Sequence, residues 1–218
     1  METSIMPDNC SEVKAVLKEF YDRNASDRDI SEVQEWKTRP RCDFLKYILE
    51  EKKADLLEIG AGPGRDSKFF MENGLKVVAV DLSGEMVKLC KEKGIEAFEM
   101  DFFELSTLGM KFDCVWSMNS LLHVHRPHLP LVLSEIDKCI KSSGLFYMGV
   151  YGGEDLEGTF VDDVYNLPRY YSWLADETLK TIVSEQFNII SFDKIELDKT
   201  VFGQKLHFQS LVMRKKPL

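Results

Sequence analysis

An α/β fold built on a doubly wound, mostly parallel sheet of seven strands is predicted for this chain by three observations. Short apolar runs alternate with helical stretches from residue 54 onward, a glycine-rich turn joins the first run to a helix, and two strands with no helix between them end the pattern. Strands alternating with helices form parallel β-α-β units with right-handed crossovers, which places helices on both faces. Two consecutive strands on a short connection pair antiparallel, so the sheet closes with an antiparallel C-terminal strand.

Taken in order, the first 50 residues read as polar and helical. Val13, Val16, Leu17 and Phe20 recur at helical spacing, as do Phe44, Leu45, Ile48 and Leu49. The charged stretch 24–39 reads as a surface loop. Strands follow at 54–59, 76–80, 95–98, 112–118 and 145–151, with helices at 65–73, 84–93 and 129–140. Gly74 and Gly94 stop two of these helices. A last helix over 176–184, with Asp176 as its expected N-cap, precedes strands at 187–197 and 206–214.

Composition bounds the function. The 218 residues, 44% hydrophobic and 30% charged, suit one domain, and the net charge of −9 argues against a protein that grips a phosphate backbone. No apolar run approaches the roughly 20 residues that span a bilayer, and METSIMPDNCSEV lacks the pattern of a signal peptide. Five scattered cysteines (Cys10, Cys42, Cys90, Cys114, Cys139) contain no CxxC pair and read as reduced thiols, hence a cytoplasmic location. The four histidines have no cysteine at ligand spacing, so no metal is expected.

The chemistry concentrates in Glu58-Ile-Gly60-Ala-Gly62-Pro-Gly64, set between a strand and a helix. Glycines permit a sharp turn and close approach of the backbone to a ligand. A dinucleotide loop wants a glycine at the sixth position, where this chain has Arg65. The bland alternative is an ordinary strand-to-helix turn. Val77-Val-Ala-Val-Asp81 then ends a buried strand in a carboxylate placed to accept two ribose hydroxyls, or else to cap the next helix, for which Ser83 is the better candidate. Glu99-Met-Asp101-Phe102 closes the third strand with another acid, a ligand residue or a solvated charge.

Residues 54–151 resemble the class I S-adenosylmethionine-dependent methyltransferases: a glycine loop at 58–64, Asp81, Asp101, then FDCVWSMNSLLHV at 112–124. The likeness is greatest to the small-molecule type and implies a Rossmann-like domain. Within it, 1–53 would form a helical lid and substrate region, 54–151 the cofactor core, 152–175 a substrate-side insertion and 176–218 the closing helix and strand pair. The resemblance implies S-adenosyl-L-methionine as donor and S-adenosyl-L-homocysteine as product. It assigns the donor to Tyr21, Arg39 (or Arg41), Glu58, Gly60, Ala61, Gly62, Gly64, Arg65, Asp66, Asp81, Leu82, Met86, Asp101, Phe102, Met118 and Asn119. In this scheme Asp101 meets the adenine amino group and Arg39 or Arg41 the methionyl carboxylate.

On the acceptor side the resemblance implies Trp36, His123, Tyr151, Arg169, Tyr170, Tyr171 and Trp173, the last four within LPRYYSW (167–173). Tyr171 and Trp173 have an equally good reading as packing for the final helix. His123, as a neutral base near pH 7, could take a proton from the nucleophile, or both His123 and His125 are polar loop residues. His123 has the better case because its position after Leu121-Leu122 matches the family pattern. Methyl transfer itself needs chiefly in-line alignment. The expected acceptor is a small neutral or cationic molecule, with no nucleic acid or membrane partner and a monomer or homodimer as the assembly. A protein or RNA acceptor, or a non-catalytic adenosylmethionine-binding protein, is the alternative; the Asn119-Ser-Leu-Leu exit lacks the proline pair of an Asn-Pro-Pro-Tyr acceptor loop.

Overall fold

The computed structural model describes residues 10–32, 34–161, 168–197, 201 and 203–217. The N-terminal stretch read for a signal, the side chain of Cys10, Leu167 and part of the 198–205 connection lie outside these residues. The elements run α1 (Cys10–Arg23), α2 (Ala25–Ile30), α3 (Thr38–Glu50), β1 (Asp55–Ile59), α4 (Arg65–Glu72), β2 (Lys76–Asp81), α5 (Gly84–Glu92), β3 (Glu96–Glu99), β4 (Phe112–Met118) and α6 (Leu129–Cys139). They continue β5 (Ile140–Gly152), β6 (Leu156–Val161), β7 (Pro168–Trp173), α7 (Asp176–Val183), β8 (Phe187–Glu196) and β9 (His207–Lys215).

Seven strands form one sheet in the order β3-β2-β1-β4-β5-β9-β8. β1 pairs with β2 and β4, β2 with β3, and β4 with β5, all in parallel. β9 runs antiparallel to both neighbours, inserted between β5 and β8. The period of two along the strands sorts the core onto two faces. Leu57, Ile59, Val80, Val115 and Phe146 pack with Val132, Ile136, Leu179 and Val183 of α6 and α7. Leu56, Val77, Trp116 and Tyr147 face Phe44 and Ile48 of α3 and Phe70 of α4. Trp116 stacks on Tyr147 at 3.9 Å between centroids.

Two sequence expectations need correction, and one pair of strands was not foreseen. The stretch 24–39 is not a loop: it holds α2 and a 3-10 turn over Glu35–Lys37, and α3 has begun at Thr38. The insertion contains an antiparallel hairpin, β6 with β7, forming a separate two-stranded sheet. Asp176 is not an N-cap but the first residue of α7, and its carboxylate accepts from His207 Nε2 (2.7 Å) and Gln209 Nε2 (2.8 Å) on β9. That tertiary pull outcompetes the local capping preference. No helix among the described residues is long and apolar enough to cross a membrane.

Candidate active site

The glycine loop owes its shape to contacts at its two ends. Gly60 and Ala61 donate to the carbonyl of Val80 (2.8 and 3.1 Å), so the loop turns at the end of β2. At φ +69° a Cβ on Gly60 would lie 2.2 Å from Cβ of Ser120. Ser120, in turn, donates its hydroxyl to the Ile59 carbonyl (2.9 Å) and locks the β4 exit against β1. Gly62, at φ +55°, has nothing within 4 Å of where a Cβ would stand, so the loop's crest opens onto space.

Asp81 ties this crest down. Its Oδ2 accepts from Gly62 N–H (2.8 Å) and its Oδ1 from Ser83 N–H (2.9 Å). Burial pushes its pKa up, and the two N–H donors pull against that shift. Ser83 caps α5, its hydroxyl accepting from Met86 N–H at 3.2 Å. Glu58 lies beneath the loop, takes the Ser67 hydroxyl, and is driven well above the ordinary carboxyl range by burial and then by Asp66. Asp101 accepts from Phe103 N–H (3.1 Å) and meets Lys14 of α1 at 2.5 Å, with Phe102 half-buried beside it. At the end of β4, Met118 is half-buried against the Trp116 cluster. Asn119 holds a left-handed φ of +56°, donates to Gly149 O (2.7 Å), and leaves Oδ1 buried without a partner.

The two N-terminal helices cap this end of the sheet through polar contacts. Lys18 reaches the Leu82 carbonyl (3.2 Å) and Glu99; Asp22 takes the Ser83 hydroxyl (2.6 Å). Lys93 bridges Asp29 of α2 (2.8 Å) to the Pro63 carbonyl of the loop (2.7 Å). Arg65, the residue that breaks the dinucleotide pattern, sends its guanidinium to the carbonyls of Arg28 (2.6 Å), Asp29 (2.8 Å) and Ser31. A cation at the C-terminal end of α2 satisfies carbonyls that the helix leaves open. Arg65 thus fastens the cap rather than facing the loop's crest.

Beyond the loop, Tyr21, His123 and the hairpin meet. His123 Nδ1 lies 2.7 Å from the Tyr170 carbonyl, which only accepts, so Nδ1 carries the proton. Its bare Nε2 then accepts from the Tyr21 hydroxyl at 2.7 Å. Burial holds the imidazole pKa down to about 3, opposed by the bond to Tyr170, with Arg169 and Arg28 lowering it further. The expected base titrating near neutrality does not fit this environment. Arg169 Nη1 reaches the Tyr21 oxygen at 3.3 Å, and its guanidinium covers the ring of Phe20 at 4.3 Å. Tyr171 packs on His123 at 5.0 Å between centroids, whereas the Tyr170 hydroxyl turns to Glu157.

The remaining assignments separate. Trp36 stands 6.2 Å from Tyr151 and 4.6 Å from Phe208, forming an aromatic wall. Trp173 and the Met86 side chain are fully buried in the core. Arg39 is exposed and pairs with Asp43 (3.5 Å). Arg41 is bound to Asp66 (2.8 Å), whose second oxygen takes the Trp116 indole N–H (3.0 Å). Two cations that the sequence reading passed over stand nearer the site. Arg28 lies 5.2 Å from the Tyr21 ring, with Nε buried and without a partner. The Lys37 ammonium has its pKa lowered to about 8 by burial and then by Arg28. Neither carries a local motif; α2 and the turn before α3 bring them in.

Residues 56–144 match the methyltransferase-domain family. A magnesium-protoporphyrin O-methyltransferase of Rhodobacter capsulatus is 26% identical over 161 residues, covering 65% of this chain and 71% of that protein. A Methanocaldococcus jannaschii relative named for protein N5-glutamine methylation is 33% identical over 134 residues, covering 58% of this chain and 61% of the other. In fold, a 1,6-didemethyltoxoflavin-N1-methyltransferase of Burkholderia thailandensis, solved with its substrate and S-adenosylhomocysteine, matches with a TM-score of 0.74 at 21% identity. That match covers 100% of this chain and 94% of the other. Residues 56–144 thus match a methyltransferase domain, and the sheet that closes on an antiparallel strand has the fold of these solved methyltransferases.

Proposed function

We propose that the chain methylates a small-molecule acceptor held beneath α1, α2 and the β6–β7 hairpin. The observation that carries this reading is the hydrogen-bond chain from Tyr21 through His123 to the Tyr170 carbonyl. It joins the helical cap, the β4 exit and the hairpin into one enclosure, which suits a small molecule better than a polymer.

The residues fit the donor. An ionised carboxylate has about four acceptor positions, so Asp81 can take ribose hydroxyls while keeping Gly62 and Ser83. The orphaned Oδ1 of Asn119 suits the methionyl ammonium, and Lys37 replaces Arg39 or Arg41 as partner for the methionyl carboxylate. Asp101 is offered to the adenine amino group, with Phe102 beside it. When bound, S-adenosylmethionine supplies a methyl group already activated by the sulfonium.

The chain contributes alignment and water exclusion. Tyr21, Trp36, Tyr151 and Tyr171 wall the space, and proximity with in-line orientation accounts for the acceleration. His123 acts through Tyr21: its bare Nε2 fixes the direction of the phenol, which Arg169 steadies from its oxygen. Turnover of methyl-labelled S-adenosylmethionine against separated small-molecule, protein and RNA fractions tests the reading. Label is expected in the small-molecule fraction; label in protein or RNA overturns it, and donor binding with no transfer to any fraction marks a non-catalytic binder.

A further inference from the structure

We propose, resting on the methyltransferase reading above, that the acceptor is a small carboxylate and that Arg28 is the residue that holds it. The argument begins with what the enclosure lacks. Both ring nitrogens of His123 are engaged, Nδ1–H with the Tyr170 carbonyl and Nε2 with the Tyr21 hydroxyl, each at 2.7 Å. The imidazole is therefore not free to receive a proton from a nucleophile, and its lowered pKa of about 3 agrees. Burial raises the Tyr151 phenol to about 12, so it stays protonated at neutral pH. Asp81 and Asp101 belong to the donor end, where Asp81 accepts two backbone N–H groups and Asp101 one.

What the enclosure has is positive charge. Arg28 Cζ stands 5.2 Å from the Tyr21 ring centroid, and Arg169 donates to the Tyr21 oxygen at 3.3 Å. Arg28 makes no ion pair among the described residues, and its Nε is buried without a hydrogen-bond partner. Its backbone carbonyl is clamped by Arg65, so α2 presents this guanidinium from a fixed position. On a protein of net charge −9, the Arg28 guanidinium beside Tyr21 attracts locally an anion that the whole molecule would repel. On this proposal the acceptor is anionic, where the sequence alone pointed to a neutral or cationic one.

The chemistry balances without a base. A carboxylate oxygen supplies the electron pair of the new O–C bond, and the pair of the breaking C–S bond stays on sulfur. One negative and one positive charge cancel, giving a neutral ester and a neutral thioether, and no proton has to be placed. An alcohol, phenol or amine would instead leave a proton, and His123, with both ring nitrogens engaged, is not placed to take it directly.

Benzoate serves as the probe, with benzamide and benzylamine as neutral and cationic analogues. Each is titrated by ligand-observed NMR into the full-length protein saturated with S-adenosylhomocysteine. Benzoate is expected to bind at least about tenfold more tightly than either analogue. Arg28→Gln should weaken benzoate by about tenfold or more, with affinity largely restored in Arg28→Lys. The affinity of Arg28→Gln for S-adenosylhomocysteine should change little, which also confirms that the variant is folded. Equal binding of the three probes, or benzoate binding indifferent to Arg28→Gln, overturns the proposal. A loss that falls on S-adenosylhomocysteine instead assigns Arg28 to the donor's carboxylate and likewise overturns it. Failure of the wild-type protein to bind S-adenosylhomocysteine is a separate result, and it refutes the reading on which the proposal rests.

Discussion

Replacing Asp81 with Asn separates two roles that one carboxylate plays. In the folded chain Oδ1 and Oδ2 accept one backbone N–H each, from Ser83 at 2.9 Å and Gly62 at 2.8 Å. The amide keeps one accepting oxygen and turns an NH2 group toward the other N–H. A buried donor left without a partner costs about 1–3 kcal/mol. For a chain of this length that corresponds to a melting temperature lower by roughly 2–12 °C. Binding of S-adenosylhomocysteine should weaken in addition, because the amide cannot accept from both ribose hydroxyls. One charge-assisted bond is worth about 1.5–3 kcal/mol, or roughly 10- to 150-fold in Kd. Thermal unfolding of the free protein reads the first effect and isothermal calorimetry the second. A variant that melts lower yet binds S-adenosylhomocysteine as tightly as the wild type would show that Asp81 only ties the loop. Unchanged stability would refute the hydrogen-bond argument itself.

Two further outcomes follow from the same geometry. Lys37 has its pKa lowered to about 8 in the free protein, so pairing with the methionyl carboxylate should raise it again toward its ordinary 10.5. At pH 9 the free amine is mostly neutral, and binding should take up about 0.9 proton, against about 0.1 at pH 7. Calorimetry in buffers of different ionisation enthalpy measures this uptake, and no difference between the two pH values would remove Lys37 from the donor site. Gly60→Ala forces a Cβ to within 2.2 Å of the Ser120 Cβ at a backbone φ of +69°. The variant should lose donor binding and unfold at lower temperature, whereas Gly62→Ala, with open space around its Cβ, should lose stability mainly through its left-handed φ. Equal stability of the two variants in thermal unfolding would contradict this.

Much of the glycine loop and the strands that frame it was legible in the sequence because it rests on backbone geometry. A glycine loop needs positive φ, a buried strand reads as an apolar run, and Asp81 sits where such a strand ends. The space under the hairpin was legible only in part. Tyr21, read for the donor, comes together with His123, Arg169 and Tyr171. Arg28 and Lys37 belong to segments with no pattern of their own, and α2 and the turn before α3 give them a place. Arg39 and Arg41 illustrate the same limit: spacing brings both near the loop, yet Arg41 goes to Asp66 and Arg39 to solvent. The β6–β7 hairpin escaped because LPRYYSW looked aromatic rather than alternating. The structure resolves its period of two: Arg169 and Tyr171 turn to Tyr21 and His123, while Tyr170 turns to Glu157. Asp176 was read as a local cap because its partners on β9 lie some thirty residues away in sequence.

The account rests on the loop over Gly60–Gly64 and Asp81 as a site for S-adenosylmethionine rather than for a dinucleotide. Thermal unfolding with S-adenosylhomocysteine, and separately with NAD, puts that to the test. At a concentration of about 100 times Kd, S-adenosylhomocysteine should add about 2.7 kcal/mol of stability, raising the melting temperature by roughly 5–11 °C, while NAD leaves it unchanged. No shift with S-adenosylhomocysteine, or an equal shift with NAD, would contradict the account.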